Sequence, residues 1–290
     1  MLLSALLPVQ AQEAKTPDIP AAQLVRLTVD NEVNDGGHSS VKHLFRARRQ
    51  TPKGSQTRVY VETSPALAGM LIAVNDKPLP PQQRQAEINH LAWLEGDPEA
   101  LRKKHAREKE DTEHTMRIMK ALPDAFRYEY AGAENGSAQV GHQGRPLARL
   151  TFRPNPAYSP PTRVEQVLMG MEGYLLIDAE SHRIAKIDGT LFKEVSFGWG
   201  LIGHLNKGSQ FSVQQADVGE GEWEITEMKL DITGKILLVK GLSLISDEVY
   251  SDFQRVPDEL SFKKGIALLK TEEDKFARSS SPEESPKIRP

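Results

Sequence analysis

The feature that most constrains the fold is a series of apolar strands joined by very short turns between residues 171 and 253. The segment Tyr174-Leu175-Leu176-Ile177-Asp178 is separated from Arg183-Ile184-Ala185-Lys186-Ile187 by only four residues. Parallel strands need a crossover of a dozen or more residues, whereas antiparallel strands can be joined by a tight turn. The sequence therefore predicts an antiparallel meander.

Further along this region, the alternation of apolar and polar residues indicates strands with one buried face. Two sets of residues alternate with polar neighbours: Phe211 and Val213, and Met228, Leu230 and Ile232. Trp223 and Ile225 have the opposite parity to the second set. A change of phase at Thr226-Glu227 predicts a β-bulge, which would bend the strand.

The rest of the chain adds helices to this sheet. Residues 21–270 are predicted to form one β-rich domain that begins with a helix and three strands. Residues 80–122 form a charged helical insertion, in which Glu99 to Arg117 holds six Lys/Arg and five Asp/Glu residues. Such a helix is either a partner-binding element or an exposed helix whose charges compensate one another. The balance of positive and negative charges favours the exposed helix.

The two ends of the chain have the composition of processed or unstructured segments. Residues 1–11 contain a short apolar run followed by the small residues Val9 and Ala11, which predicts a signal peptide, and residues 12–20 form a leader. Residues 271–290 are rich in Ser, Pro, Glu and Lys and are predicted to be a disordered tail. We therefore expect a periplasmic or secreted protein without a membrane-spanning segment.

The composition excludes several classes of function. The chain has no cysteine, which excludes disulfides, thiolate metal sites and cysteine nucleophiles. A net charge of -3 without a basic cluster argues against nucleic-acid binding. The eight histidines lack metal-site spacing, and the nucleophile and phosphate-loop motifs are missing. We expect no metal, no cofactor and no enzymatic activity.

Gly198-Trp199-Gly200-Leu201-Ile202-Gly203 matches the dinucleotide-binding pattern by letter. The residues that follow predict a strand, whereas that pattern requires a helix whose N-terminus holds the pyrophosphate, so we reject nucleotide binding. The apolar residues of this segment could instead line a pocket, although a loop that closes one end of the core is the simpler interpretation. The candidate ligand-binding residues are Trp199, Leu201, Ile202, Phe211 and Trp223.

The order of helix, three strands, helices and antiparallel meander behind a signal peptide resembles the periplasmic lipoprotein carriers of the LolA/LolB type and the sensor domain of RseB-like regulators. The residues that carry the resemblance are Gly173 to Asp178 and Arg183 to Gly189. The resemblance implies an incomplete antiparallel barrel that wraps around helices and leaves an apolar cavity for acyl chains. The fold class is thus predicted to be mainly β (α+β), a curved sheet or half-barrel with helices on its concave face.

The expected function is that of a non-enzymatic carrier or chaperone that binds lipid or a lipidated protein in an apolar cavity. The alternative is a structural or regulatory protein-interaction module of the cell envelope, in which the core is filled and a protein partner is held at the surface. A continuous apolar cavity would favour the carrier, and a filled core would favour the interaction module.

Overall fold

The computed structural model describes residues 17–34, 41–198, 202–236 and 240–280. The helices are α1 (Ala21–Asn34), α2 (Pro81–Gly96), α3 (Pro98–Ala125), α4 (Arg163–Gln166) and α5 (Phe262–Ser280). The strands are β1 (Lys42–Thr51), β2 (Gly54–Glu62), β3 (Leu67–Val74), β4 (Lys77–Pro78), β5 (Phe126–Asn135), β6 (Pro146–Pro154), β7 (Met171–Asp178), β8 (Arg183–Leu191), β9 (Val195–Phe197), β10 (Gly203–Leu205), β11 (Gln210–Asp217), β12 (Trp223–Ile236) and β13 (Lys240–Val256).

Within the described residues, these strands form one open antiparallel sheet. Eleven of them follow the order β4-β3-β2-β1-β13-β12-β11-β8-β7-β6-β5, and β10 pairs with both β12 and β9. Neighbours in sequence are mostly neighbours in space, as short turns require. The pairing that joins the most distant strands in the sequence is that of β1 with β13, in which Lys42 lies opposite Val256 and Gln50 lies opposite Asp247. This pairing joins the N-terminal strands to the meander, and the predicted curved α+β fold class is confirmed.

The first hydrophobic core covers one face of strands β5 to β8. α1 and the C-terminal end of α3 contribute Leu24, Val25 and Leu122, and the strands contribute Leu150 and Leu175. The aromatic ring of Phe152, which is 2% exposed, lies 4.6 Å from that of Phe126. Because the β5-to-β8 strands are joined in sequence, this half of the sheet acquires its core largely from one continuous stretch of chain.

The second core covers β1 to β3, and it lies on the other face of the sheet. Val59 and Val61 of β2 pack there with Ile266 and Leu269 of α5 and with Leu91 of α2. Cross-strand partners in an antiparallel sheet point to the same face, and successive residues point to opposite faces. Following the register from β2 to β7 puts Tyr60 on the face of the first core, and its neighbours Val59 and Val61 on the other face. The structure thus adds a helix layer on each face.

The charged insertion forms two helices, and the longer one connects the two cores. Ala100 and Leu101 near the start of α3 pack against the second core, and Ala121 and Leu122 near its end belong to the first. With a rise of about 1.5 Å per residue, the 28-residue helix is ~42 Å long. Its intervening charges form i,i+4 pairs such as Lys104–Glu108 at 2.7 Å, as the exposed-helix interpretation predicts.

These helices also protect an edge of the sheet. The backbone N–H of Leu67 in β3 donates to a carboxylate oxygen of Glu108 at 3.2 Å, and that of Leu71 donates to Glu87 at 2.9 Å. Pro78 in the two-residue β4 offers no backbone N–H. The β3 edge is therefore closed to further strand pairing where these groups lie.

The bulge predicted at Thr226-Glu227 is confirmed. In β11, Gln214 lies opposite Glu227 and Gln215 lies opposite Ile225, so Thr226 is the additional residue. Its hydroxyl donates to the carbonyl oxygen of Gln139. Beyond the bulge, β12 continues to Ile236, and Gly234 pairs with Leu242 of β13.

The C-terminal tail requires a correction. The sequence predicts a disordered tail over residues 271–290, but α5 continues to Ser280, and residues 281–290 lie outside the described residues. The side chain of Glu273 is buried against Arg84, with Glu273 Oε2 2.6 Å from Arg84 Nη2, and the Arg46 guanidinium lies 5.5 Å from the centre of the Phe276 ring. These tertiary contacts outweigh the polar composition that predicted disorder.

The predicted signal peptide, residues 1–11, and most of the predicted leader lie outside the described residues. Among the described helices, none is long and apolar enough to cross a membrane. Gly203 of the glycine-containing motif begins β10, a strand as predicted, which agrees with the rejection of a dinucleotide site.

Candidate functional site

Between the two cores, the central strands present a set of apolar side chains on the face that carries the first core. We call this set the central apolar face. Its members are Phe45, Tyr60, Val213, Met228, Leu230, Ile232, Leu244 and Tyr250. They come from β2, β1, β13, β12 and β11, which are consecutive in the sheet. At about 4.8 Å per strand, the face is ~19 Å wide.

The register shows that these residues share one face. Val213 lies opposite Met228, and Val213 also lies opposite Ile187, which packs against the first core. On the other side, Met228 lies opposite Glu248, two residues before Tyr250. Tyr250 lies opposite Ala47, two residues after Phe45, and the same parity continues into β2.

An aromatic group forms one part of the central apolar face. The Phe45 ring stacks on that of Tyr60 with centroids 5.5 Å apart, and on that of Phe253 at 5.6 Å. The Tyr250 ring lies 6.2 Å from the Phe45 ring. Offset stacking of this kind orders large apolar side chains without closing the surface above them.

The residues of the central apolar face are not part of the packed cores. Of the three clusters found among the described residues, none includes a member of this face. Seven of its eight side chains are half-buried, and Leu244 is 37% exposed. Contiguous apolar surface of this kind marks a binding site more often than isolated exposed residues do.

One ion pair interrupts the apolar surface. Arg49 Nε lies 3.0 Å from Glu248 Oε1, and the Tyr250 hydroxyl donates to Glu248 Oε2 at 2.8 Å. Burial first, and then the negative charge of Glu248, raises the pKa of Tyr250, so this phenol stays protonated at neutral pH. The pair provides a polar group beside an otherwise apolar face.

A buried histidine–glutamate pair borders the aromatic group. His43 Nδ1 lies 2.9 Å from Glu224 Oε1, and the His43 side chain is only 6% exposed. The ring of His43 meets that of Phe253 edge-on at 6.0 Å, and its backbone N–H donates to Glu62 Oε2 at 2.8 Å. The chain brings two titratable groups from residues 43 and 224 together at the β1–β13 junction.

Burial keeps both members of this pair uncharged. It raises the pKa of Glu224 to about 8, with further contributions from Glu62 and Glu222 that exceed the opposing effect of Arg183. Burial also lowers the pKa of His43, mainly by disfavouring the imidazolium. At pH 7 the Glu224 carboxyl group is therefore mostly protonated, and the His43 imidazole is neutral.

A second buried pair, Glu32 of α1 and Arg183 of β8, attaches α1 to the sheet. Arg183 Nη1 lies 3.0 Å from Glu32 Oε2, and the Ile184 backbone N–H donates to Glu32 Oε1 at 2.9 Å. The Asn31 side-chain amide donates to the carbonyl oxygens of Ser181 and His182. These bonds hold the C-terminal end of α1 against the β7–β8 turn.

A cavity lies elsewhere, between α2, α3 and the β2–β3 strands. Its volume is about 830 Å³, and its walls include Arg58, Lys103, Arg107, Glu108 and Asp111. An exposed Trp93 indole stacks on the His90 ring at its rim, with centroids 5.6 Å apart. Because oppositely charged side chains line it, this cavity does not resemble an acyl-chain pocket.

A second cavity, of about 580 Å³, is also polar. It lies on the opposite sheet face, where Ser212, Lys229, Asp231 and Asp247 project. Neither cavity is the apolar cavity expected from the sequence.

The five candidate ligand-binding residues are not brought together. Trp199 and Leu201 lie outside the described residues, and Ile202 is 37% exposed in the turn before β10. Phe211 packs against the first core beside the central apolar face, where its ring covers Gly189 so closely that a Cβ there would overlap it. Trp223 is buried in a third cluster with Leu147, Leu176 and Ala185.

The separation of Phe211 from Trp223 has a local cause. Leu175 belongs to the first core and Leu176, the next residue of β7, belongs to the third cluster, so the two clusters lie on opposite faces. The phase change at Thr226 would bring Trp223 to the face of Leu230, but the two residues lie on opposite faces, as plain alternation over seven positions requires. The bulge therefore does not bring Trp223 to the central apolar face.

Several residues of the site carried little signal in the sequence. Phe45, Tyr60 and Tyr250 meet only because β1 pairs with β13 across roughly 200 residues of chain. The alternation of Met228, Leu230 and Ile232 did reveal the aliphatic part. Among the described residues, no group of three or more histidines, aspartates or glutamates is arranged to hold a metal ion.

Comparisons with known proteins show similarity at the level of fold. No family model matches the chain, and no curated protein matches it. A crystal structure described as an outer membrane lipoprotein-sorting protein domain from Vibrio parahaemolyticus is similar over 86% of this chain and 99% of its own, with 12% identity and a TM-score of 0.34. A DUF1329 family protein from Desulfovibrio piger is similar over 81% and 93%, with 8% identity and a TM-score of 0.26. The first description names the class of domain that the sequence resembles.

Proposed function

We propose that this protein is a non-enzymatic carrier of the cell envelope that binds the acyl chains of a lipid or lipidated protein on the central apolar face. The observation that carries the proposal is the continuous set of apolar side chains on five neighbouring strands outside every described core cluster. The predicted signal peptide supports a periplasmic or secreted location.

Hydrophobic transfer supplies the binding free energy. Burial of apolar surface is worth about 25 cal/mol per Å², and half-buried side chains such as Met228 and Leu230 still expose such surface. Aliphatic and aromatic side chains match an acyl chain without directional contacts, so chains of different length can be accommodated. The Arg49–Glu248 pair offers polar contacts to the head of the ligand.

A partly open face also suits release. An acyl chain in a closed cavity is buried on all sides, whereas a chain on an open face stays partly exposed to solvent, so less apolar surface is buried and release costs less free energy. This supports a carrier over a storage protein. The alternative is an envelope interaction module with a filled core. The two packed cores agree with this alternative, but neither core covers the central strands.

The experiment is a titration with a fluorescent fatty acid. Met228→Glu places a charge in the central apolar face and is expected to weaken binding at least tenfold. Val249→Glu is the matched control, because Val249 lies on the neighbouring strand, is 44% exposed, and points to the opposite face. Met228→Gln, which keeps the side-chain length, replaces the Glu variant if circular dichroism shows unfolding. Equal affinities of the Met228 and Val249 variants would overturn the proposed site.

A further inference from the structure

The N-terminal part of β13 has an open edge. β1 pairs with β13 only from Asp247 to Val256, because β1 ends in the turn that follows Gln50 and Thr51. On its other side, β13 pairs with β12 from Lys240 to Val249. Within the part of the chain that the structure describes, no strand pairs with Lys240–Ser246 on the β1 side. We call Lys240–Ser246 the open edge.

Apart from Lys240 at one end, the open edge lacks the features that usually prevent strand pairing. From Gly241 to Ser246 its sequence is Gly-Leu-Ser-Leu-Ile-Ser, without a charge or a proline. Leu244 is 37% exposed and Ile245 is 40% exposed. The β3 edge, by contrast, is closed by Glu87 and Glu108. The uncharged stretch from Gly241 to Ser246 is therefore a template for another strand.

We propose that the open edge pairs with the open edge of a second copy of this chain, antiparallel and about a two-fold axis at Ser243. The length of the edge determines this register. Pairing beyond Ser246 is blocked by β1, so the longest two-fold pairing of Lys240–Ser246 is centred on its middle residue.

The side chains are self-complementary in this register. Leu242 lies opposite Leu244 of the second copy, and Gly241 lies opposite Ile245. Leu242 and Leu244 point to the face that carries the first core, because Leu244 lies opposite Ile232 of β12. The central apolar faces of the two copies would therefore adjoin in one continuous sheet. The pairing itself does not depend on lipid binding.

The interface is small, so we expect a reversible dimer whose fraction rises with concentration. Analytical ultracentrifugation of the mature chain measures this directly. Ile245→Lys places a charge on the open edge and is expected to abolish the dimer. Val249→Lys is the matched control, since Val249 shares the strand and face of Ile245 but lies where β13 is paired on both sides. It should dimerise as the wild type does.

A disulfide test identifies the register. The chain has no cysteine, so Ser243→Cys introduces one thiol per copy. Directly opposite residues of antiparallel strands lie within the distance that a disulfide spans. Mild oxidation should convert this variant to a covalent dimer much faster than Val249→Cys. A monomeric wild type at all concentrations, a dimer unaffected by Ile245→Lys, or equal cross-linking of the two cysteine variants would each overturn the proposal.

Discussion

His43 Nδ1 and Glu224 Oε1 lie 2.9 Å apart, and burial leaves both groups uncharged at neutral pH. Because one residue is in β1 and the other in β12, on either side of β13, their contact reports on the junction between the N-terminal strands and the meander. The charged groups around them come from several elements: Glu62 of β2, Glu222 before β12, Arg183 of β8 and Arg255 of β13.

The first prediction concerns the pH dependence of stability. Glu224 has a pKa of about 8 in the folded protein and an ordinary value of 4.5, so the folded state binds the extra proton between these values. Stability from this group therefore falls as the pH rises from about 4.5 to 8. His43, whose pKa is lowered from 6.5, acts in the opposite direction at lower pH.

Between pH 6.5 and 8, the change in stability from this pair comes mainly from Glu224, because the pKa of His43 is lowered from 6.5. The wild type should lose up to about 2 kcal/mol of unfolding free energy between pH 6.5 and pH 8 as Glu224 ionises. The Glu224→Gln variant has no carboxyl group at this position and should not show this loss. Urea denaturation at several pH values measures the difference. Glu220→Gln, an exposed neighbour, is the control. Parallel profiles of wild type and Glu224→Gln would show that Glu224 is already ionised at neutral pH.

The second prediction concerns the attachment of α1. Glu32 and Arg183 form a buried pair with side chains 5% and 12% exposed. Glu32→Ala leaves the arginine and the Ile184 N–H without this carboxylate, and should cost about 3–5 kcal/mol of stability. Glu180→Ala removes an exposed partner of Arg145 and should cost less than about 1 kcal/mol. Similar unfolding midpoints for the two variants would contradict a structural role of Glu32.

The third prediction concerns the end of α5. Glu273 is 3% exposed and pairs with Arg84 of α2, so Glu273→Ala should destabilise the protein by about 1–3 kcal/mol. Lys275→Ala changes a side chain that is 64% exposed on the same helix, and its midpoint should be close to that of wild type. Thermal unfolding followed by circular dichroism compares the two. An unchanged midpoint for Glu273→Ala would indicate that the helix end does not hold the sheet in solution.

Much of the fold could be predicted because its determinants are local. The four-residue turn between Asp178 and Arg183 requires antiparallel pairing, and the phase change at Thr226 requires a bulge. The end of α5 could not be predicted, because its polar sequence is ordered by Arg84 from a helix almost 190 residues away.

The site was predicted less well for a related reason. Phe211 lies beside the central apolar face, because its strand partner Leu230 belongs to that face. Trp223 lies on the opposite face, and hydrophobicity alone does not tell which face of a bulged strand a residue occupies. Phe45 and His43 reach the site through the non-local pairing of β1 with β13, which leaves no local pattern in the sequence.

Native mass spectrometry of the mature protein, purified from the cell envelope, tests whether the protein carries lipid. Extraction of the same sample identifies any bound lipid. We predict a stoichiometric adduct of a lipid or an acylated peptide that Met228→Glu loses and Val249→Glu retains. A mass equal to that of the polypeptide alone, with no uptake when lipid is offered, would contradict the carrier function.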